Sequence, residues 1–268
     1  MDLPTGWTAE SVHADGADLQ CYRTGRGPAL VMAHGSCDCG LRWYPLAERL
    51  ADEHEVVTYD ARGHGYSDAP QSGYAIRERV EDLRCVVDAL ELDDPVLLGH
   101  SMGAGTVGWA AASDPDLPRA AVLVEPMGMH EEPTADPDAR AEDALEHAKQ
   151  FVGQTVEQVV EADHADLDPA HARRIAAARL QCAPHALAAL ARRGYPGPLA
   201  DVFHDVACPT LVLRADSDVT RRVRDLDAAE ALQRGRLVHL PGAGHDVFRD
   251  AFEGASKELR TFLRRVDR

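Results

Sequence analysis

Short apolar runs recur along this chain, separated by segments of helical spacing, and that alternation limits its fold more than any other feature. Ala29-Leu30-Val31-Met32-Ala33, Glu55-Val56-Val57-Thr58-Tyr59, residues 95–99, Ala120-Ala121-Val122-Leu123-Val124 and Thr210-Leu211-Val212-Leu213-Arg214 each read as a short buried strand. Residues 41–52, 74–91 and 101–113 read as helices, the second on the apolar spacing Ile76, Val80, Leu83, Val87, Leu90. A helix is expected at 222–234, a strand at 236–240 and a terminal helix at about 246–265. Residues 9–14 and 17–24 predict a hairpin turned by Asp15-Gly16. Strands that alternate with helices imply an α/β fold: a mostly parallel central sheet with helices on both faces.

The alternation stops at residue 127. From there to 205 no strand is expected, and residues 138–152, 154–163, 169–182 and 184–193 read as four helices. Asp136-Pro137, Asp168-Pro169 and Ala183-Pro184 supply their start signals, because proline fits the first helical position. The expected organisation is a core of residues 1–126 and 206–268 carrying an all-helical insertion at 127–205. Sites in open α/β sheets form beyond the carboxyl ends of the strands, so an insertion leaving that edge would roof the site as a cap.

Charge and composition narrow the partners. The 268 residues carry a formal net charge of −17, which would repel nucleic acid and anionic membranes. No apolar run approaches the roughly 18 residues that span a bilayer, and the N-terminus lacks the basic flank and apolar centre of a secretory signal. The six cysteines are scattered, as expected of reduced thiols rather than a disulfide framework, and a cytoplasmic location follows. Lysine is confined to Lys149 and Lys257, isoleucine to Ile76 and Ile175, and asparagine is absent, a pattern that GC-rich coding produces. Coding bias does not explain 45 acidic against 28 basic residues, and adaptation to high salt does.

Chemistry concentrates at Gly99-His100-Ser101-Met102-Gly103, between a buried strand and a small-residue helix. A serine between glycines at such a turn is exposed as a nucleophile, and the helix N-terminus behind it favours developing negative charge. A serine hydroxyl needs a base. His245 supplies one, in the glycine-rich loop Leu240-Pro241-Gly242-Ala243-Gly244-His245 at a strand's carboxyl end. An acid must orient that imidazole. Asp218, in Arg214-Ala215-Asp216-Ser217-Asp218, is the first choice, with Asp216 and then Glu125 as rivals. The backbone amides of Met102 and Ser36 are the expected oxyanion donors, Ser36 lying in Ala33-His34-Gly35-Ser36 at the end of an earlier strand.

These motifs, with Asp60-Ala61-Arg62-Gly63-His64-Gly65-Tyr66-Ser67-Asp68, resemble the α/β-hydrolase superfamily in its capped esterase, lactonase, epoxide-hydrolase and carbon–carbon hydrolase branch. The resemblance covers essentially the whole chain and keeps the family order Ser, Asp, His. It implies the α/β-hydrolase fold and no cofactor, and gives the stretch from Asp60 to Asp68 a loop-shaping role, with His64 outside catalysis. Dehalogenases and epoxide hydrolases of this fold place aspartate where Ser101 stands, so the expected reaction is acyl transfer to water from an ester or lactone of small or medium size.

Carbon–carbon bond hydrolysis and cofactor-free haloperoxidase-like chemistry are the enzyme alternatives, and a ligand-binding receptor or pseudoenzyme is the alternative of another class. Trp43, Met127, Met129, Phe151 and Tyr195 are candidates for the pocket wall, while His147, His164, His171 and His185 are expected to face solvent. Cys37-Asp38-Cys39 and Asp163-His164-Ala165-Asp166 lack the partner pairs of a zinc site, so no metal is expected. The expected partners are a small acyl substrate and water, on a monomer or homodimer.

Overall fold

The computed structural model describes residues 3–130, 136–164, 167–193 and 196–267. Strand β1 (Thr8–Ala14) pairs with β2 (Ala17–Gly25) in an antiparallel hairpin, from Thr8 opposite Arg23 to Ala14 opposite Ala17. Gly16 in its turn has φ +73°, the left-handed conformation that a two-residue loop demands. The remaining strands are β3 (Ala29–Ala33), β4 (Glu55–Tyr59), β5 (Val96–His100), β6 (Ala120–Val124), β7 (Thr210–Arg214) and β8 (Gly235–His239). Together they form one sheet in the order β1-β2-β4-β3-β5-β6-β7-β8. Only the pairings of β1 with β2 and of β2 with β4 are antiparallel. The expected mostly parallel α/β sheet is therefore present.

Burial explains why its central strands are uninterrupted apolar runs. Every residue of β3, β5, β6 and β7 is buried. Successive side chains alternate between two cores, as the two-residue repeat of a strand requires. Leu30 and Met32 join the core that holds α1 (Tyr44–Leu50) and α10 (Phe252–Val266). Ala29, Val31 and Ala33 join the one that holds α2 (Ile76–Ala89) and α3 (Met102–Ser113).

Between β6 and β7 lie only helices: α4 (Pro137–Lys149), α5 (Val156–Asp163), α6 (Pro169–Arg179), α7 (Pro184–Arg193) and a 3₁₀ segment (Leu199–Asp205). Helices start at the expected prolines Pro137, Pro169 and Pro184. Asp136 caps α4 through Asp138 N and Asp168 caps α6 through Ala170 N and His171 N, and on α5 the structure adds a capping box of Thr155 with Gln158. The insertion packs onto the core: Ala183 N donates to Gly63 O at 2.9 Å, and Leu199 N donates to Gly128 O at 2.7 Å. Two of its histidines overturn the expectation of solvent exposure. His164 and His171 are buried beneath the insertion, His171 against the Tyr44 ring. Helix periodicity alone did not place them, because the surface that covers them belongs to the core.

Two helix boundaries also differ from the sequence reading. Helix α8 (Val219–Ala229) starts three residues earlier than expected, because Asp218 caps it by accepting from Arg221 N at 3.0 Å. The terminal helix is split into α9 (Val247–Asp250) and α10 by Ala251, whose φ of −133° and ψ of +46° are not helical.

The glycines beside Ser101 are fixed by close approach. A Cβ on Gly99 would collide with the backbone of Gly103, and one on Gly103 would collide with the carbonyls of Ala33 and His34. Gly254, inside α10, meets only Leu240 at 3.5 Å, an ordinary contact. Urea unfolding should therefore separate the two classes. Gly103→Ala is expected to destabilise by about 1–3 kcal/mol through overpacking. Gly254→Ala is expected to be neutral or to stabilise by up to about 1 kcal/mol through helix propensity.

Candidate active site

The parallel strands β3, β5, β6, β7 and β8 end at one edge of the sheet, and the candidate residues leave from there. Ser101 follows β5 with φ +50° and ψ −111°, a region that non-glycine residues avoid. Backbone bonds hold it there. Ser101 N donates to Val124 O at 2.9 Å, and Ser101 O accepts from Gly105 N and Met127 N, each at 3.0 Å. Met102 is the first residue of α3, so its N–H belongs to the unpaired first turn. Gly35 packs directly over this turn, since a Cβ there would lie 3.4 Å from Ser101 Cβ and 3.0 Å from His100 Nδ1. Ser36 follows it, and Cys37 turns the loop away with φ +60°.

The loop from His34 to Gly40 is braced from below by the stretch 60–68. Asp60 accepts from Gly40 N at 2.6 Å, Tyr66 N at 2.8 Å and Tyr22 OH at 2.8 Å. His34 accepts from Ala61 N through Nε2 at 2.9 Å, so its Nδ1–H donates to Gly35 O at 2.6 Å. His64 is buried and bonds Arg62 O, away from Ser101.

His245 stands on a loop pinned at several points. Gly242 N donates to Asp216 at 3.1 Å and Gly244 N to Asp250 at 2.8 Å. The His245 carbonyl accepts from His100 Nε2 at 2.9 Å, and His100 Nδ1 accepts from Arg42 at 3.0 Å. Those two bonds define a neutral His100. Burial, aided by Arg42, pushes its pKa down to about 4. Arg42 also pairs with Asp38 at 2.6 Å and with Asp246. One guanidinium thus ties the loop of Ser36 and Asp38 to the loop that carries His245.

The acid facing His245 is Glu125, not Asp218. Glu125 Oε2 lies 3.5 Å from His245 Nδ1, and its side chain is 3% exposed. Its Oε1 accepts from Ala215 N at 2.6 Å and lies 3.2 Å from Arg214 Nη1. Its Oε2 also takes Arg221 Nη2 at 3.3 Å. Burial works against the Glu125 carboxylate, but the His245 contact, Arg214, the Ala215 amide and Arg221 outweigh it and hold the pKa below the usual range. Asp218 is exposed and spends its side chain capping α8, while Asp216 braces Gly242 and pairs with Arg222. Arg214 is itself clamped at 3.0 Å by Asp225, which also accepts from His130 at 2.7 Å and His239 at 3.0 Å.

Ser101, Glu125 and His245 line one cleft of about 570 Å³. Met127 and Met129 line it as expected. Trp43 does not: it is buried edge-on against Phe248, beside a separate cavity under α6. Phe151 lines a third cavity with Cys37 and Cys182, its ring 4.3 Å beneath the Arg179 guanidinium. Tyr195 lies outside the described residues. The sequence reading missed His130, Arg214, Arg221 and Arg224, all of which line the cleft. The signal was available for the last two. Asp218 is an N-cap residue type, and a helix that starts after it sets Arg221 and Arg224 one turn apart.

Known proteins resemble this chain over most of its length. The model of the alpha/beta hydrolase fold family matches residues 28–181. A 2-(acetamidomethylene)succinate hydrolase from Mesorhizobium japonicum is 30% identical, over 91% of each chain. The crystal structure of an E-2-(acetamidomethylene)succinate hydrolase superposes with a TM-score of 0.78 at 26% identity, covering 96% of this chain and 99% of the other. An esterase from Exiguobacterium antarcticum superposes with a TM-score of 0.79 over 96% of this chain and all of its own, and its 21% identity speaks to fold alone.

Buried imidazoles around the site set an acid limit on stability. Burial pushes His34, His100 and His171 down to about 4 and His64 to about 3. In the unfolded chain each titrates near 6.5, so below that pH the unfolded state binds more protons and stability falls. Asp60, pushed up to about 6 by burial, works in the opposite direction, losing stability as pH rises through that value. Four imidazoles outweigh one carboxylate. Urea midpoints are expected to fall steadily from about pH 6.5 to about pH 4, and a flat profile over that window would contradict the neutral tautomers assigned above.

Proposed function

The chain belongs to the alpha/beta hydrolase fold family, and from that premise we propose that it is a serine hydrolase acting on an ester or lactone through an acyl-enzyme. In this reading Ser101 is the nucleophile, His245 the base and Glu125 the orienting acid, with the Ser36 and Met102 amides as oxyanion donors. The carrying observation is the convergence of Ser101, His245 and buried Glu125 on one cleft, with Glu125 at 3.5 Å from His245 Nδ1. A carboxylate on Nδ1 leaves Nε2 free to take the serine proton.

The steps follow from those positions. His245 Nε2 accepts the Ser101 proton as Oγ attacks the substrate carbonyl. The carbonyl electrons move onto oxygen, which the two amides stabilise, a contribution of about 3–4 kcal/mol per donor in comparable sites. The oxyanion collapses, and His245 returns the proton to the leaving alkoxide. Water attacks the acyl-enzyme with His245 again as base, releasing the acid and restoring Ser101. Glu125 stays ionised throughout, consistent with its lowered pKa. Among the described residues, the helices between β6 and β7 line the two neighbouring cavities and not this cleft. The relative named 2-(acetamidomethylene)succinate hydrolase favours a second reading, in which the substrate is of the acetamido type.

Three variants test the assignment on p-nitrophenyl butyrate. Ser101→Ala should abolish labelling by a fluorophosphonate probe and lower kcat by roughly 10⁵–10⁶. Glu125→Gln should lower kcat by at least about 100-fold, because the imidazole loses its ionised partner. Asp218→Asn should leave kcat within about threefold, while Asp218→Ala loosens the α8 cap by about 1 kcal/mol. A severe loss in Asp218→Asn with a mild one in Glu125→Gln would return the acid role to Asp218.

A further inference from the structure

We propose that Arg221 and Arg224 form a carboxylate-binding subsite of the cleft, and that the acyl chain delivered to Ser101 ends in a free carboxylate. The proposal rests on the serine-hydrolase reading and names its substrate class.

The first observation is charge placement. In a chain of net charge −17, three arginines, Arg214, Arg221 and Arg224, line the cleft that holds Ser101 and His245. The acids on the same wall are Glu125 and Asp218. Glu125 is engaged by Ala215, Arg214, Arg221 and His245, and Asp218 accepts from the α8 backbone. Arg214 is taken up by Glu125 and Asp225 and Arg221 shares Glu125, so among the described residues Arg224 is the cleft guanidinium whose charge is unmatched, on an otherwise acidic protein.

The second observation is the position of these arginines on α8. Its opening turns hold Arg221, Arg222 and Arg224, with no acid in the first turn. Cations at a helix N-terminus oppose the macrodipole, so the arrangement works against helix stability. Arg222 is explained by its pair with Asp216. Arg221 lends one nitrogen to Glu125 and is 49% exposed. Arg224 lines the cleft and has no ion-pair partner among the described residues.

Residues three apart on a helix are neighbours on one face, so the two guanidinium groups can close on one anion. Their forked donors match a carboxylate. A phosphate dianion would bring a second negative charge beside Glu125, which disfavours it. Arg221 is one hydrogen bond from Glu125, and Glu125 is one contact from His245. The carboxylate therefore sits a short chain from the scissile carbonyl, as in half-esters of succinic, glutaric or adipic acid.

The experiment compares monoethyl glutarate with neutral ethyl pentanoate by pH-stat, and titrates glutarate by calorimetry. At low salt the half-ester should have the higher kcat/KM by at least about tenfold, a preference that shrinks as ionic strength rises. Arg224→Gln and Arg221→Gln should each lower that ratio about tenfold, chiefly through KM of the half-ester, with partial rescue in Arg224→Lys. Arg222→Gln, outside the cleft, should keep the ratio. Glutarate should bind wild type and Ser101→Ala alike and lose affinity in Arg224→Gln. Equal kcat/KM for the two esters, a ratio that survives in the Arg221→Gln/Arg224→Gln double variant, or tighter binding of inorganic phosphate than of glutarate would each overturn the subsite. If neither ester turns over and Ser101 takes no probe, the hydrolase reading fails, and the glutarate titration still decides the subsite by itself.

Discussion

Ser101 is held at a backbone conformation that costs on the order of 1–3 kcal/mol for a residue with a side chain. The rest of the site depends on keeping it there. Two independent constraints do so. The carbonyl of Val124 and the amide of Met127, on either side of Glu125, both bond the Ser101 backbone, which locks the end of β6 to the end of β5. Gly99 and Gly103 let the turn close until the strand before it and the helix after it nearly touch. The same hydrogen bonds that strain Ser101 bring Glu125 beside it. Glu125 is itself at φ +46°, and its N–H is bonded to Leu213 O at 2.9 Å. Ser101 and Glu125 are therefore both set by one backbone junction across β5, β6 and β7.

The buried charges around this junction are arranged so that none is left alone. Arg42 bridges Asp38 and Asp246 and donates to His100, which in turn holds the carbonyl of His245. Arg214 bridges Glu125 and Asp225, and Asp225 collects two histidines. Ion pairs this deep add little net stability, because desolvation offsets their attraction. Their consequence is geometric: each guanidinium fixes a loop that would otherwise move. Arg42 fixes the His245 loop against the loop of Ser36 and Asp38, and Arg214 fixes the carboxylate that His245 faces.

The sheet was legible in the sequence because its central strands are buried on both faces and read as unbroken apolar runs. Residues 29–33, 55–59, 120–124 and 210–214 were recognised to the residue on that basis. The turns that carry Ser101 and His245 were legible because glycines mark them. Which carboxylate faces His245 was not, since Asp218, Asp216 and Glu125 all follow strands, and only the three-dimensional path of β6 brings one of them to His245. The buried His164 and His171 were misjudged for a related reason: their helices are amphipathic toward a surface that the local sequence does not contain.

The position of the acid has a consequence for the rest of the cleft. An acid supplied from the β7 loop would have to turn its side chain toward His245. Here Glu125 faces His245, and Asp218 accepts from Arg221 N and starts α8 at Val219. The earlier start carries Arg221 and Arg224 into the first two turns, on the face that lines the cleft. Arg221 then meets Glu125 Oε2, the oxygen that also faces His245, and offsets part of its charge. Acid placement, helix capping and the positive charge of the cleft are thus one coupled choice. Moving the acid to β7 by substitution would require not a single exchange but a new start for α8 and a new counter-charge for the site.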